Sequence, residues 1–138
     1  MTVLNSIRVA DYMTRRLITL SPTQTVNQAI KLLLENGISG APVVDNGDLV
    51  GVFSESDCLK GAIQSGYHGT EIGTVAEFMS VAVETVDLDD SILSVADIFL
   101  SQRRRRLPVL EDGKLVGQIS RRDVLRAMND FAQRSSVA

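Results

Sequence analysis

One cysteine, one histidine, three prolines and no tryptophan occur in 138 residues, and aromatic side chains make up 4% of the chain. Cys58 stands alone, so it closes no internal disulfide and forms no metal or redox pair with a second thiol. It falls within an apolar helical pattern, the setting of a buried or half-buried small hydrophobe. His68 has no carboxylate, cysteine or second histidine at ligand spacing, which leaves it without a metal or general-base role. With so few aromatics the core must be built from Val, Leu and Ile. A net charge of -3 argues against a general nucleic-acid binder, which needs basic surface to neutralise phosphates. No apolar run approaches the ~18 residues of a membrane span, and the N-terminus lacks a charged stretch followed by an apolar signal segment. A cytoplasmic protein that makes no membrane contact is expected. No nucleophile and base, metal cluster or catalytic carboxylate pair is present, so an enzyme is not expected.

What the chain does have is a copy of itself. Residues Val9 to Gly61 align with Val75 to Ala127 at one fixed offset without a gap. Met13 matches Met79, Thr19 matches Thr85, Pro42 matches Pro108, Gly47 matches Gly113, Gly51 matches Gly117, Ser54 matches Ser120 and Asp57 matches Asp123. A unit present twice forms a pseudo-twofold body rather than a solenoid, and it offers two related places to bind a ligand. The length fits a single domain or two halves sharing a core. The halves are residues 1–66 and residues 67–138.

Within each half the apolar period changes in the same order. Leu17 to Leu20 is short, β-branched and stopped by Ser21-Pro22, which reads as a strand. Val26, Ala29, Ile30, Leu33 and Leu34 then recur at helical spacing, with Thr25 and Gln28 as a capping box and Gly37 as the stop. Ile92, Val95, Ala96, Phe99 and Leu100 repeat that stripe. Asn46-Gly47 and Asp112-Gly113 each divide two strand-like runs and suit type I′ hairpin turns. Pro42 and Pro108 lack a donor, which places these strand starts at an edge or opening. A second helix begins near Glu55 and near Arg121, anchored by Leu59 and Ile63 in one copy and by Val124, Leu125 and Met128 in the other. The expected fold is therefore α/β (α+β), each repeat running strand, helix, strand, strand, helix behind a short lead-in, Val9 to Met13 or Val75 to Met79. Gln64 to Gly73 reads as a linker, and the tail beyond Phe131 is expected to fray.

Three pairs of motifs, Asp11-Tyr12-Met13-Thr14 with Glu77-Phe78-Met79-Ser80, Ala41-Pro42-Val43-Val44-Asp45 with Leu107-Pro108-Val109-Leu110-Glu111, and Gly51 to Asp57 with Gly117 to Asp123, occur in the same order and spacing. In this the chain resembles the tandem cystathionine-β-synthase (CBS) domain pair over nearly its whole length. The resemblance implies a regulatory module that binds AMP, ADP, ATP, S-adenosylmethionine or NAD in clefts between the repeats, pairs into a homodimer and signals to a regulated protein partner.

The closing motif carries chemistry of its own. Gly51 and Gly117 let another backbone or a ligand come close. Ser54 and Ser120 stand where a strand gives way to a helix, a setting that favours phosphate. Asp57 and Asp123 can accept two hydrogen bonds from vicinal ribose hydroxyls. The same Ser-x-x-Asp is also a helix-capping pattern, and the two uses can coexist, the Ser capping the empty protein and turning to ligand when bound.

The copies differ in charge. Glu55 follows Ser54, whereas Arg121 and Arg122 follow Ser120, and Arg105 and Arg106 stand where the first copy has Ser39 and Gly40. A phosphate should therefore prefer the second motif. Arg103 and Arg104 equally fit a solvated helix end, a reading that suits Arg105 and Arg106 less well. By resemblance, adenine walls come from Thr19, Ile38, Ser39 and Ala41 in one copy and from Thr85, Arg106 and Leu107 in the other. A different class of function remains open, an interaction module with the same fold that has lost its ligand and serves dimerisation.

Overall fold

The computed structural model describes residues 6–66 and 72–136, without the side chains of the last two. His68 and most of the glycine-rich linker lie outside the described residues. The chain forms two compact units that do not coincide with the two halves of the sequence. One unit is Ile18–Val83; the other joins the chain up to Leu17 to the chain from Glu84 onward. These are called the first-repeat and second-repeat units. The buried residues form two clusters, one per unit, where the chain length alone also allowed a single shared core.

In the first-repeat unit, α1 (Val26–Asn36) leads to strands β1 (Gly40–Asp45) and β2 (Asp48–Ser54) and then to α2 (Glu55–Ser65). The capping box of α1 forms as the sequence requires: the Gln28 amide donates to Thr25 Oγ1 at 3.0 Å and the Thr25 amide to Gln28 Oε1 at 3.0 Å. Gly37 ends the helix in the left-handed region. Asn46 and Gly47 turn the hairpin with φ of 50° and 84°. A four-residue helix, α3 (Val75–Phe78), then leads to Ser80, which exchanges two 2.9 Å backbone hydrogen bonds with Val52 on β2.

The second-repeat unit repeats this plan. Strand β3 (Val86–Asp87) runs parallel to β4 (Arg106–Glu111), which pairs antiparallel with β5 (Lys114–Ser120); α4 (Ile92–Gln102) and α5 (Arg121–Ser136) complete it. Asp112 and Gly113 turn this hairpin with φ of 51° and 80°. Each hairpin also carries a register shift at the matched place, Val43/Val44 and Val109/Leu110. The lead-in, with a 3-10 turn at Val9–Asp11, comes from the other end of the chain: Thr14 and Gln118 exchange backbone hydrogen bonds at 2.9 Å. Each lead-in segment thus completes the unit of the other repeat.

Gly51 and Gly117 explain why these segments fit. A Cβ on Gly117 would stand 2.5 Å from the Thr14 carbonyl oxygen, and one on Gly51 2.8 Å from the Ser80 carbonyl oxygen. The missing side chain admits a backbone. The prolines also fall where their lost donor is not needed. β3 pairs with β4 only at Val109 and Leu110, and Pro42 offers its carbonyl to the Leu20 amide.

Five local expectations need correction. Leu17 to Leu20 is no strand but a single parallel bridge, Leu20 to Val43, because only Leu20 is buried while Ile18 and Thr19 face solvent. The ends of the apolar stripes, Leu34 and Leu100, are 77% and 79% exposed, since Val26, Ala29 and Leu33, with Ile92, Val95 and Phe99, already fill the buried face. The second helices are not anchored by Leu59, Ile63, Leu125 or Met128, which are exposed. They turn Asp57 and Gly61, or Asp123, Val124 and Ala127, inward instead. The region after Phe131 stays helical to Ser136, and Phe131 packs against the core. α2 likewise runs to Ser65 before Gly66 caps it, so the linker begins later than expected.

Candidate functional site

The hairpins bring the predicted phosphate and ribose residues to one end of each unit. Gly40 pairs with Ser54, and the Glu55 amide donates to the Ser39 carbonyl at 2.9 Å. In the second-repeat unit Arg106 pairs with Ser120, and the Arg121 amide donates to the Arg105 carbonyl at 3.2 Å. Ser39, Ser54 and Asp57 therefore cluster in one unit, and Arg105, Arg106, Ser120 and Asp123 in the other.

Asp57 and Asp123 are the charged side chains buried among the described residues, 4% and 7% exposed. A buried carboxylate requires donors. Asp57 Oδ2 accepts from the Ser54 amide at 2.9 Å and the Ser54 hydroxyl at 3.2 Å; Asp123 Oδ2 accepts from the Ser120 amide at 2.9 Å and the Ser120 hydroxyl at 3.0 Å. The Asp123 amide also donates back to Ser120 Oγ at 3.2 Å, and the box between Ser54 and Asp57 is likewise closed in both directions. The capping use of Ser-x-x-Asp is thus realised in both units. It leaves Oδ1 of each aspartate to face other donors.

The Oδ1 atoms are treated differently. Arg126 Nη1 donates to Asp123 Oδ1 at 3.0 Å. Lys60 stands at the matched position, but among the described residues it makes no ion pair with Asp57. Neither Arg126 nor Tyr12, whose ring centroid lies 5.7 Å from the Arg126 guanidinium carbon, was among the sequence candidates. The spacing that allows this pair was visible in the sequence, a cation three residues after an acid on a helix, but Lys60 has the same spacing from Asp57 without the pair.

The remaining candidates divide. Arg121 is committed to the protein, its Nε donating to the Arg104 carbonyl at 2.7 Å and its Nη2 to the Phe99 carbonyl at 2.8 Å. It satisfies carbonyls at and beyond the C-terminus of α4, where a cation also meets the negative end of the dipole. Arg122 and Arg105 are exposed and Arg106 half-buried. Ala41 and Leu107 are buried in their unit cores. Ile38 lines an apolar groove of about 470 Å³ between α1 and α2, beside Leu34, Cys58 and Leu59. Burial pushes the Cys58 thiol above its ordinary pKa, with the nearby Asp57 charge adding to the effect. Thr19 lines a separate open recess of about 430 Å³ with Ser21, Gln24 and Gln28, which no other candidate joins. Thr85 is half-buried, one residue before β3. Among the described residues no group of three or more His, Cys, Asp or Glu is arranged to hold a metal ion, and no helix is long and apolar enough to cross a membrane.

Two copies of a hairpin and helix, each with a buried aspartate tied to the serine at the helix start, define a duplicated α/β repeat protein. The CBS domain profile matches residues 9–63 and 75–130, and the chain belongs to the CBS-domain family. Among its relatives, the chloroplastic CBS domain-containing protein CBSX1 of Arabidopsis thaliana is 34% identical over 148 residues, covering 86% of this chain and 63% of that protein. An uncharacterized protein of Methanocaldococcus jannaschii, MJ0188, is 36% identical over 123 residues, 88% of this chain and 44% of its own length. The chain thus spans about half the length of these curated relatives. Among solved structures, CBSX2 of Arabidopsis thaliana in complex with AMP superposes with a TM-score of 0.80 at 33% identity, covering 91% of this chain and 98% of CBSX2. The CBS domain pair of protein MJ0100, in complex with 5′-methylthioadenosine and S-adenosyl-L-methionine, gives a TM-score of 0.75 at 26% identity, covering 90% and 97% of the two chains.

Proposed function

We propose that the chain is a regulatory module that binds an adenosine-containing ligand, AMP, ADP, ATP or a related adenosyl compound, at its closing motifs and passes the occupancy to a protein partner as a change of conformation. The observation that carries this reading is the pair of buried aspartates. Each is held by its serine through one oxygen, which fixes where the second oxygen points, and a carboxylate whose orientation is fixed by the fold costs less to order on binding. The AMP in CBSX2 and the adenosyl ligands of MJ0100 support the same chemistry. Ribose is assigned to Asp57 and Asp123, and phosphate to the helix starts at Ser54 and Ser120. The second motif is the preferred phosphate site, because Arg105, Arg106 and Arg122 surround it where the first has Ser39, Gly40 and Ser56.

The module is proposed to be non-catalytic and to work as a pair with a second copy of itself. Leu34 and Leu59 on α1 and α2, and Leu100 and Leu125 on α4 and α5, are exposed at matched positions of the two units. A surface that repeats itself suits the self-complementary contact of a homodimer. Sedimentation should give twice the chain mass, and Leu59→Glu with Leu125→Glu should return it to one.

Isothermal titration with AMP, ATP, S-adenosylmethionine and NAD tests the ligand. At least one should bind, and Asp123→Ala should weaken it about tenfold or more, the loss of hydrogen bonds to a charged group, with a smaller loss for Asp57→Ala. Heat from none of the four would leave only a ligand-free interaction module, and turnover of any would overturn the non-catalytic assignment.

A further inference from the structure

Arg126 connects the ribose-accepting carboxylate to a part of the chain far away in sequence. Its Nη1 lies 3.0 Å from Asp123 Oδ1, and its guanidinium sits over the ring of Tyr12. Tyr12 belongs to the lead-in, two residues before the Thr14 backbone that pairs with Gln118 on β5. The Tyr12 hydroxyl donates to Asp130 Oδ2 at 2.7 Å. Asp130 stands four residues after Arg126 on α5, the spacing at which helical side chains meet. One cation therefore has two carboxylates within reach, Asp123 on the preceding turn and Asp130 on the following one. Its side chain is 58% exposed, which gives the guanidinium room to turn, while Asp123 at one end of its reach is buried and Asp130 at the other is exposed. Arg134 and Asp11 are the other charges near the Tyr12 hydroxyl. The first-repeat unit has no such relay, since Lys60, Phe78 and Gln64 stand where the second has Arg126, Tyr12 and Asp130.

We propose that Arg126 reports occupancy of the second site to the lead-in segment. The proposal rests on the reading of Asp123 as the ribose acceptor. Oδ2 already receives two donors from Ser120, so two vicinal hydroxyls must both be accepted by Oδ1, which has two lone-pair sites and gives one of them to the guanidinium. Ribose displaces Arg126 from Asp123, and the freed guanidinium turns to Asp130, drawing that carboxylate from the Tyr12 hydroxyl. The lead-in is held less tightly when the site is full. Its energy is the difference in affinity between the two arrangements, as for any coupled pair of sites.

Tyrosine emission reads this directly, because the chain has no tryptophan and Tyr67→Phe leaves Tyr12 as the reporter. Adenosine is the probe, since it carries ribose without phosphate and the charge of Arg126 does not attract it. Saturation should raise Tyr12 emission as the hydroxyl loses its carboxylate. In Arg126→Ala, adenosine should bind at least about two- to fivefold more tightly in parallel calorimetry, since an ion pair with one buried partner has to be displaced in the parent, and the emission change should vanish. Arg126→Lys should restore part of the emission change, and Lys60→Ala should alter neither readout. Unchanged emission on saturation, or an Arg126→Ala protein that binds more weakly or keeps the full response, overturns the relay. Absence of adenosine binding, or binding that survives Asp123→Ala, instead overturns the assignment of ribose to Asp123.

Discussion

The two units share a skeleton and differ in charge. Twelve of the fourteen Lys and Arg residues belong to the second-repeat unit, against ten Asp and Glu, while the first-repeat unit has two cations and seven acids. One unit is net positive by two and the other net negative by five. Backbone requirements were held fixed through the duplication: hairpin turns, register shifts, the glycines that admit a backbone and the buried aspartates all match. Divergence in charge collected at exposed or half-buried positions, as at Ser39 and Arg105 or Glu55 and Arg121, while buried positions exchanged one apolar side chain for another, as at Ala41 and Leu107 or Phe53 and Ile119. Common skeleton and separate chemistry can therefore be tested apart.

The skeleton is tested most severely at its glycines. Gly117→Ala should cost about 3 kcal/mol and Gly51→Ala about 2 kcal/mol in thermal or urea unfolding, because the new Cβ meets fixed backbone at both places and stands closer at Gly117. A neutral Gly117→Ala would break the match between the two lead-in contacts. The chemistry is tested by Glu55→Arg, which removes the anion beside the first motif. AMP affinity of that site should rise several-fold at low salt, about 1 kcal/mol, and the gain should shrink as salt is added. No gain would mean that charge does not distinguish the sites.

A finer asymmetry lies at the ends of α1 and α4. Gly37 and Arg103 adopt the same left-handed conformation, φ 61° and ψ 35° against φ 54° and ψ 35°. Glycine does so without a Cβ penalty, so Arg103→Gly should stabilise the protein by up to about 1 kcal/mol in a thermal melt. The smallest effect concerns Tyr12, matched by Phe78. Its hydrogen bond to Asp130, with burial adding, holds the phenol above its ordinary pKa of 10.0. Because the folded state keeps the proton more tightly, that contribution is fully present below pH 10 and is lost as pH rises through the folded value. The stability gap between the parent and Tyr12→Phe, about 0.5 kcal/mol, should be flat at neutral pH and close above pH 10.

Local geometry was legible because it depends on neighbours in sequence. Asn46-Gly47, Asp112-Gly113, the Thr25 cap and the Gly37 stop each name their own conformation. Ser54 with Asp57 and Ser120 with Asp123 were legible for the same reason, three residues apart at a helix start. The partner of each lead-in was not, since an unbroken repeat assigns Met13 to the first half while the hydrogen bonds of Thr14 reach Gln118. The carbonyl partners of Arg121 were hidden for a similar reason: its charge was visible, but the carbonyls of Phe99 and Arg104 come into reach only when α4 ends beside α5. Leu34, Leu59, Leu100 and Leu125 read as core by period alone, which counts apolar positions and not the width of the buried face.

The exchange of lead-in segments makes each half of the gene an incomplete folding instruction. Residues 1–66 made alone would carry Val52 without Ser80, and residues 67–138 would carry Gln118 without Thr14, each leaving an open strand edge. Two single copies could close those edges only by lending segments to one another across separate chains. Joining them in one chain turns that encounter into an internal one, whose effective concentration no longer depends on how much protein the cell holds. A chain cut in the linker should then behave as two complementing fragments, soluble and folded together and aggregation-prone apart.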